Sequence, residues 1–434
     1  MDHAAIAVQA LVEKKVQKEK GLSRSQLGRE KFLEEVWIWI KHYMPRMESS
    51  LKRLGLSADW SRFRFTMDEH SQNAVRTAFV QLYEKGLIYR GEYMVNWDPK
   101  LQTAIADDEV LHQEVPSQLY WIKYGPISIA TQRPETMFGD VAIAVNPKDK
   151  RYEQYVGQNI TITLPTGEQK PLPVIADDFV DPEFGTGAVK ITPAHDPTDF
   201  EAGQRHKLPT IQAVDKYGKL TEIAGEFAGL KAAEARSKVG DKLKELGLLE
   251  KVTDYKTRQP ISERSGAVIE PLISTQWFVK TTDIKERAIK AVKSGDIKFH
   301  PKSFEKTYFH WLENLHDWCI SRQLWWGHQI PAWYDDNGKI YVAEDEAAAQ
   351  KMPGSKKLTQ DQDVLDTWFS SGIWPFSTMG WPNSDAPDLK RYFPTTLLET
   401  SSDIIFFWVA RMIMLSLALT DQIPFKDVYF HGLI

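Results

Sequence analysis

Between residues 119 and 255 the chain changes texture, and that change limits what it can fold into. Short apolar runs at 119–124, 127–130, 160–164, 174–175 and 188–191 are separated by Gly, Pro and Asp. Runs of that length with turn residues between them predict a compact β-rich domain with one or two helices. The flanks read differently. Residues 4–86 carry helical periodicity, helical character returns at 282–293, and residues 311–434 alternate helices with short apolar strands, the last at 428–434. A β-rich unit set into an α/β domain is the expected arrangement.

Within the first flank, one helix runs toward Lys20 and stops at Gly21. A second, at about 25–43, puts Phe32, Val36, Trp39 and Ile40 on one face and should end before Pro45. A third, at about 71–85, turns Val75, Phe79 and Leu82 inward and stops at Gly86, with a strand following at 87–97. The run 404–419 is nearly all apolar, but it is short and carries Arg411 at its middle, so a buried core helix is expected and no membrane span. Residues 1–20 are charged and show no signal peptide.

Composition closes off several function classes. Of 434 residues, 42% are hydrophobic and 26% charged, an ordinary globular balance with room for two to three domains. The net charge of −5 leaves no overall basic field, so any nucleic-acid contact must rest on local patches. One cysteine, Cys319, excludes an intramolecular disulfide and a cysteine-rich zinc site and fits a reducing compartment. His310, His316 and His328 lack ligand spacing with it, so no metal is expected. The charges at 14–20 read as a solvated helix face.

The segment 185–208, GTGAVKITPAHDPTDFEAGQRHKL, concentrates the polar chemistry. A Gly-x-Gly turn leads into a short strand, a Thr-Pro-Ala-His-Asp loop follows, and a helix opens at Pro197. Asp196 and Asp199 then lie at the mouth of a strand–loop–helix unit beside Lys190, Thr192 and His195. Spacing admits two readings. The carboxylates could bind a small polar ligand, or Asp196 could be an N-cap and Asp199 a first-turn acid favoured by the helix dipole.

Eight blocks occur in a fixed order: LGREKFLEEVW (27–37), VNWDPKLQTAIADDEV (95–110), RPET (133–136), GTGAVKITPAHDPTDFE (185–201), IEPLISTQWFV (269–279), DWCISRQLWWGHQIPAWY (317–334), DVLDTWFSS (363–371) and DIIFFWVARM (403–412). In that order they resemble the central half of the valyl-tRNA synthetases, which are class I aminoacyl-tRNA synthetases. The resemblance implies an α/β fold: an incomplete Rossmann-like catalytic domain carrying an inserted β-rich editing domain. Its parts would be 1–114 (first catalytic part), 115–255 (editing domain) and 256–434 (connective region and second catalytic part).

It also implies a chemistry. The editing domain would hydrolyse threonyl-tRNA(Val), a task this family faces because an apolar pocket rejects a hydroxylated isostere poorly. Asp199 would hold the substrate α-ammonium, Lys190, Thr192 and Asp196 would shape the pocket, and Arg133 and Thr136 would line it from the opposite loop. A bound water would attack the ester, with no side-chain nucleophile, metal or other cofactor. Glu135 could be a general base or part of a salt bridge. Gln132 departs from the family, which has Thr there. In the α/β part, Asp2 would hold the amino acid, Trp326 and Trp368 would wall it or simply pack the core, and Asp403 would lie near the adenylate. Ala5 and Ser401 stand where the family has Gly. The two nucleotide signature motifs of the family do not occur among these residues, so valine activation, which needs ATP and Mg in the full-length enzyme, is expected to be lost. The implied partners are tRNA(Val), valine and threonine, with a monomeric, cytoplasmic protein. The alternative is an inactive fragment that binds tRNA or a partner.

Overall fold

The computed structural model describes residues 1–355 and 357–432. The chain divides into two compact units: residues 1–91 with those from Gln276 onward, and residues 92–275. The second is wider at both ends than the 115–255 expected from sequence. Two strands, Ile88–Asp98 and Glu270–Val279, carry the chain across the divisions, and sequence alone offers no break within them.

The first unit is built on helices around a small parallel sheet. Thr395–Ser401 and Lys298–His300 flank Phe425–His431, both parallel to it; the expected end of that last strand, 433–434, lies outside the described residues. The first helix, Ala5–Lys20, ends where Gly21 takes φ 66° and returns its N–H to the Gln17 carbonyl. Lys15 and Lys20 both reach Glu35, so part of the 14–20 charge cluster fastens this helix to its neighbour. Glu69–Glu84 is capped by Asp68 and buries Val75, Phe79 and Leu82. The helix Arg29–Arg53 corrects the expected stop before Pro45: it runs through the proline. Proline removes one backbone bond but keeps a helical φ, and Met47–Arg53 are good helix formers braced by the Glu48–Lys52 pair.

Arg411 sits 4% exposed inside the apolar run, with its guanidinium 4.3 Å from the Trp318 ring centre and further Trp and Phe rings around it. The run Ser402–Thr420 is long and apolar enough to cross a membrane, yet most of it is buried within this unit. It packs with Phe79, Trp277, Tyr308 and Phe369 in the main core.

Two sheets frame the cleft of the second unit, beside the antiparallel pairing of Thr103–Ile105 with the end of Ile88–Asp98. Val110–Tyr124 pairs along its length with Leu249–Ser262 and, at one end, with Ile127–Thr131. The strand begins nine residues before the expected 119. Pro116 and the polar run around it hide the strand, but at Pro116 there is a partner on one side only, where a missing N–H is tolerated. The other sheet runs Asn159–Thr163, Gln169–Ala176, Ala142–Val145, Ala188–Ile191 in spatial order. Its central strand Ala142–Val145 is buried throughout, with Ile143 opposite Lys190. Ile122, Ile129, Met137, Phe138 and Ile143 form the core on which the loops rest.

Candidate functional site

A cleft of about 700 Å³ opens within the second unit, lined by Gln132, Arg133, Thr136, Lys190, Thr192, His195, Asp196 and Asp199 among others. The six residues expected on the editing side therefore share one cavity. The strand that carries Lys190 is entered through a glycine turn. At Gly187, φ is +77°, and a Cβ would collide with the Arg151 guanidinium and lie 2.8 Å from the Pro182 carbonyl oxygen, so no larger residue fits the turn into Ala188–Ile191.

After that strand the chain turns into the helix Pro197–His206. Asp196 caps it, accepting from the N–H of Thr198 at 2.8 Å and of Asp199 at 3.1 Å. Asp196 is exposed and lines the cleft, with its Oδ1 taken up by these two N–H groups. Asp199 differs. Its Oδ2 accepts the Thr192 N–H at 2.8 Å, and Oδ1 has no donor among the described residues. Burial, reinforced by Asp196, pushes the Asp199 carboxyl up to about 7, against the pull of Lys190 and the Thr192 N–H.

Beside it lies a closed network. Lys190 Nζ donates to Thr136 Oγ1 at 2.8 Å, Asp140 Oδ1 at 3.0 Å and Thr192 Oγ1 at 2.5 Å. Thr192 in turn donates to Asp140 Oδ1 at 2.6 Å, and the Tyr124 hydroxyl to Asp140 Oδ2 at 2.6 Å. Thr136 donates to the Arg133 carbonyl at 3.0 Å. An ammonium has three protons to give, so all of Lys190's are spent inside the protein. Lys190 shapes the cleft without a donor left for a ligand.

Arg133 is held in place as well, with three of its five N–H groups engaged. It donates to Glu135 at 3.2 Å, to Glu270 at 2.6 Å and to the His195 carbonyl at 3.4 Å. Glu135 is fully buried and also takes two bonds from Arg236, at 3.0 and 2.7 Å. Burial would raise the Glu135 carboxyl, but Arg236 and Arg133 outweigh it and hold it below the usual glutamate range. Of the two roles open to Glu135, the geometry is that of the salt bridge.

His195 is neutral. Its Nε2 accepts two backbone N–H groups, Ala213 at 2.8 Å and Val214 at 3.0 Å, which places the ring proton on Nδ1. Burial, with Arg133 adding, pushes this imidazole down to about 3, so it neither charges nor has a lone pair free for base catalysis near neutral pH. Sequence reading missed Asp140, Tyr124, Arg236 and Glu270. Asp140 had one signal: an acid directly before the wholly apolar run VAIAV must be paired once buried. Arg236 and Glu270 are far away in sequence and had none.

In the first unit, Asp2 accepts from Ser371 at 2.6 Å and from the Ala4 N–H at 2.7 Å. Ser371 shares the short helix Thr367–Gly372 with Trp368, which is half-buried against Phe407. Trp326 is 1% exposed, donates its indole N–H to the His3 carbonyl at 2.9 Å and packs edge-on against Trp37. Asp2, Trp326 and Trp368 thus lie in one neighbourhood, but the wall expected of Trp326 is here core. Asp403 is exposed in a short turn. The two lost glycines cost no left-handed backbone: Ser401 has φ −78°, and Ala5 begins a regular helix, the residue at positive φ being Ala4. Among the described residues no group of three or more His, Cys, Asp or Glu is placed to hold a metal.

The model of the family of tRNA synthetases class I (I, L, M and V) matches residues 1–434. The valine–tRNA ligase of Streptococcus agalactiae serotype III (strain NEM316) is 53% identical over 441 residues, covering 100% of this chain and 49% of that protein. Those of Streptococcus pyogenes serotype M1 and Enterococcus faecalis (strain ATCC 700802 / V583) are each 52% identical over the same shares. The chain spans about half the length of the curated relatives it matches.

Proposed function

This chain belongs to the family of class I tRNA synthetases, and from that premise we propose that residues 92–275 are the hydrolytic editing part of a valine-specific enzyme. The reaction is removal of threonine from mischarged tRNA(Val). Water adds to the ester carbonyl, the bond to the terminal ribose oxygen breaks, and threonine and the free tRNA hydroxyl leave.

One observation carries this reading: beside Asp199 the side chains of Lys190, Thr136 and Thr192 are spent on one another and on their neighbours, while the largely buried Asp199 keeps one carboxylate oxygen with no donor among the described residues. A carboxyl raised to about 7 by burial gains most from a cation, because the cation replaces the hydration that burial removed. The α-ammonium of an aminoacyl ester is such a cation. Lys190, Thr136 and Thr192, the nearby groups that could attack a carbonyl, are all hydrogen-bonded, which favours water as the nucleophile. Lys190, Thr136 and Arg133 fix the walls, and Asp196 fixes the helix that presents Asp199. Relatives named valine–tRNA ligases support valine as the cognate amino acid.

For the full-length enzyme we place the amino acid near Asp2 and Trp368 and the adenylate near Asp403, with ATP and Mg as cofactors of activation. The 434 residues by themselves, without the two nucleotide signatures, would not activate valine. A monomer in the cytoplasm is the simplest setting. The test is hydrolysis of threonyl-tRNA(Val) and valyl-tRNA(Val) by the purified chain. Faster loss of threonine is expected. No hydrolysis of either ester above the spontaneous rate would refute the proposal and leave an inactive binding fragment.

A further inference from the structure

We propose that the helix Arg29–Arg53 is an interface between two copies of this chain, paired antiparallel along a seam that runs from Trp37 to Leu54. The pairing is independent of the editing reaction.

The seam is written in the spacing. Trp37, Ile40, Met44, Met47, Leu51 and Leu54 follow one another at steps of three and four in strict alternation. That repeat keeps a narrow apolar stripe on one side of a helix, the pattern by which one helix fits another. Pro45 falls outside the stripe, so the proline that the helix runs through leaves the seam whole. In the first half the stripe is partly used. Ile40 and Met44 are half-buried against the small core that also holds Phe32 and Val36, and Trp37 meets Phe65 and Trp326 edge-on. After Val36 the helix buries no residue. Met47 is 53% exposed, and Leu54, which keeps a helical backbone just past the helix end, is 83% exposed. Helical turns without tertiary packing are marginal in water, and a row of bare apolar side chains marks a surface that another surface covers.

The flanking charges select the occupant and its direction. With two copies antiparallel about a two-fold axis near Pro45, Met44 faces Met47 of the second copy, Ile40 faces its Leu51 and Trp37 its Leu54. The bare half of each helix then covers the half-covered half of the other. Lys41 and Glu48 each follow a seam residue directly, so they stand on one border of the stripe. The same symmetry brings Lys41 beside Glu48 of the second copy, about 3 Å apart along the axis, and Glu48 beside its Lys41. Both have capacity for this. Lys41 makes no hydrogen bond or ion pair among the described residues, and Glu48 gives one oxygen to Lys52 at 2.5 Å and keeps the other. A parallel pair would set the Lys41–Glu48 border against the uncharged border of Tyr43 and Ser50, so charge favours the antiparallel one. The monomer is then the dilute limit of a concentration-dependent pair.

The experiment is sedimentation equilibrium of the full chain from about 1 to about 100 µM, with the mass expected to rise from one chain toward two. Met47→Glu puts a charge into the central layer twice and should raise the dimer Kd roughly 100-fold. Leu54→Lys, at a side chain too exposed for folding to depend on it, should raise it roughly 10-fold. Lys41→Glu alone and Glu48→Lys alone each set like charges together and should raise it roughly 3- to 10-fold. The double variant exchanges the charges and should return to within about 2-fold of the parent. A parent that keeps the mass of one chain at the highest concentration overturns the proposal, and so does a dimer that folded Leu54→Lys leaves as tight as before. A double charge variant no tighter than the single ones overturns the antiparallel pairing.

Discussion

Replacing Asp199 with asparagine should stabilise the protein while disabling it, and the effect should depend on pH. The folded carboxyl titrates at about 7 against an ordinary value of 3.8. Between those values the folded state keeps a proton that the unfolded chain releases. The cost to stability therefore begins near pH 4, grows as pH rises and is complete above pH 7. Three pKa units correspond to about 4 kcal/mol as a ceiling. Asp199 borders an open cleft, and solvent screening there brings the figure to about 1–2 kcal/mol. The amide of Asp199→Asn would keep an oxygen for the Thr192 N–H, so the substitution removes charge and little else. For a unit of this size, 1–2 kcal/mol moves Tm by roughly 2–8 °C. Calorimetry at about pH 3.5 and pH 8.5 should show the Asp199→Asn chain clearly ahead of the parent at the higher pH and nearly level at the lower. Deacylation of threonyl-tRNA(Val) should fall roughly 10- to 100-fold at pH 8, since a charge-assisted bond of about 1.5–3 kcal/mol is lost. A Tm difference that is the same at both pH values, or a less stable variant at pH 8.5, would refute the reasoning and return Asp199 to the role of a first-turn acid.

Glu135→Ala leaves Arg133 and Arg236 facing each other without their shared carboxylate, and should cost about 3–5 kcal/mol, read as a fall in the denaturant midpoint. Because the Glu135 carboxyl is held below 4.5, its stabilisation is complete above that pH and is lost on further acidification, so the penalty of the mutation should shrink in acid. Gly187→Ala puts a Cβ at positive φ into Arg151 and the Pro182 carbonyl, and should cost about 2 kcal/mol or more in thermal unfolding. The His195 ring, read by NMR, should show no titration between pH 5 and 8 and should stay in the Nδ1–H tautomer.

The parts of the fold governed by local rules were legible in the sequence. Gly21 and Gly86 end helices where a left-handed residue is needed, and Val75, Phe79 and Leu82 recur at the helical period. The β-rich insertion was legible from its spacing. Its limits were not, because the Ile88–Asp98 strand is continuous across the division and Pro116 disguises the start of the long ribbon. Pro45 misled for a related reason: a proline inside a helix forfeits one backbone bond but keeps a helical φ, and Met47, Glu48, Leu51, Lys52 and Arg53 beyond it are good helix formers. At the cleft, Asp199 and Lys190 lie close in sequence and could be seen together. What each does depends on Asp140, Arg236 and Glu270, whose approach is a product of packing and leaves no periodic trace.

The row Arg236–Glu135–Arg133–Glu270 has a mechanical consequence. Glu270 is the first residue of the strand by which the chain leaves the unit, and Arg133 belongs to the loop beside Gln132. The two are joined by a contact of 2.6 Å, and the row continues to the helix Ala232–Glu245 through Arg236. Such a row is stiff in tension, because stretching any one link exposes a buried charge. A displacement of the departing strand by about an ångström beyond hydrogen-bonding reach would break the Glu270 link and release Arg133, and the loop carrying Gln132 would be the first thing to move. The shape of the cleft is in that sense anchored at the point where the polypeptide exits, and a load applied there arrives at the loop that lines it.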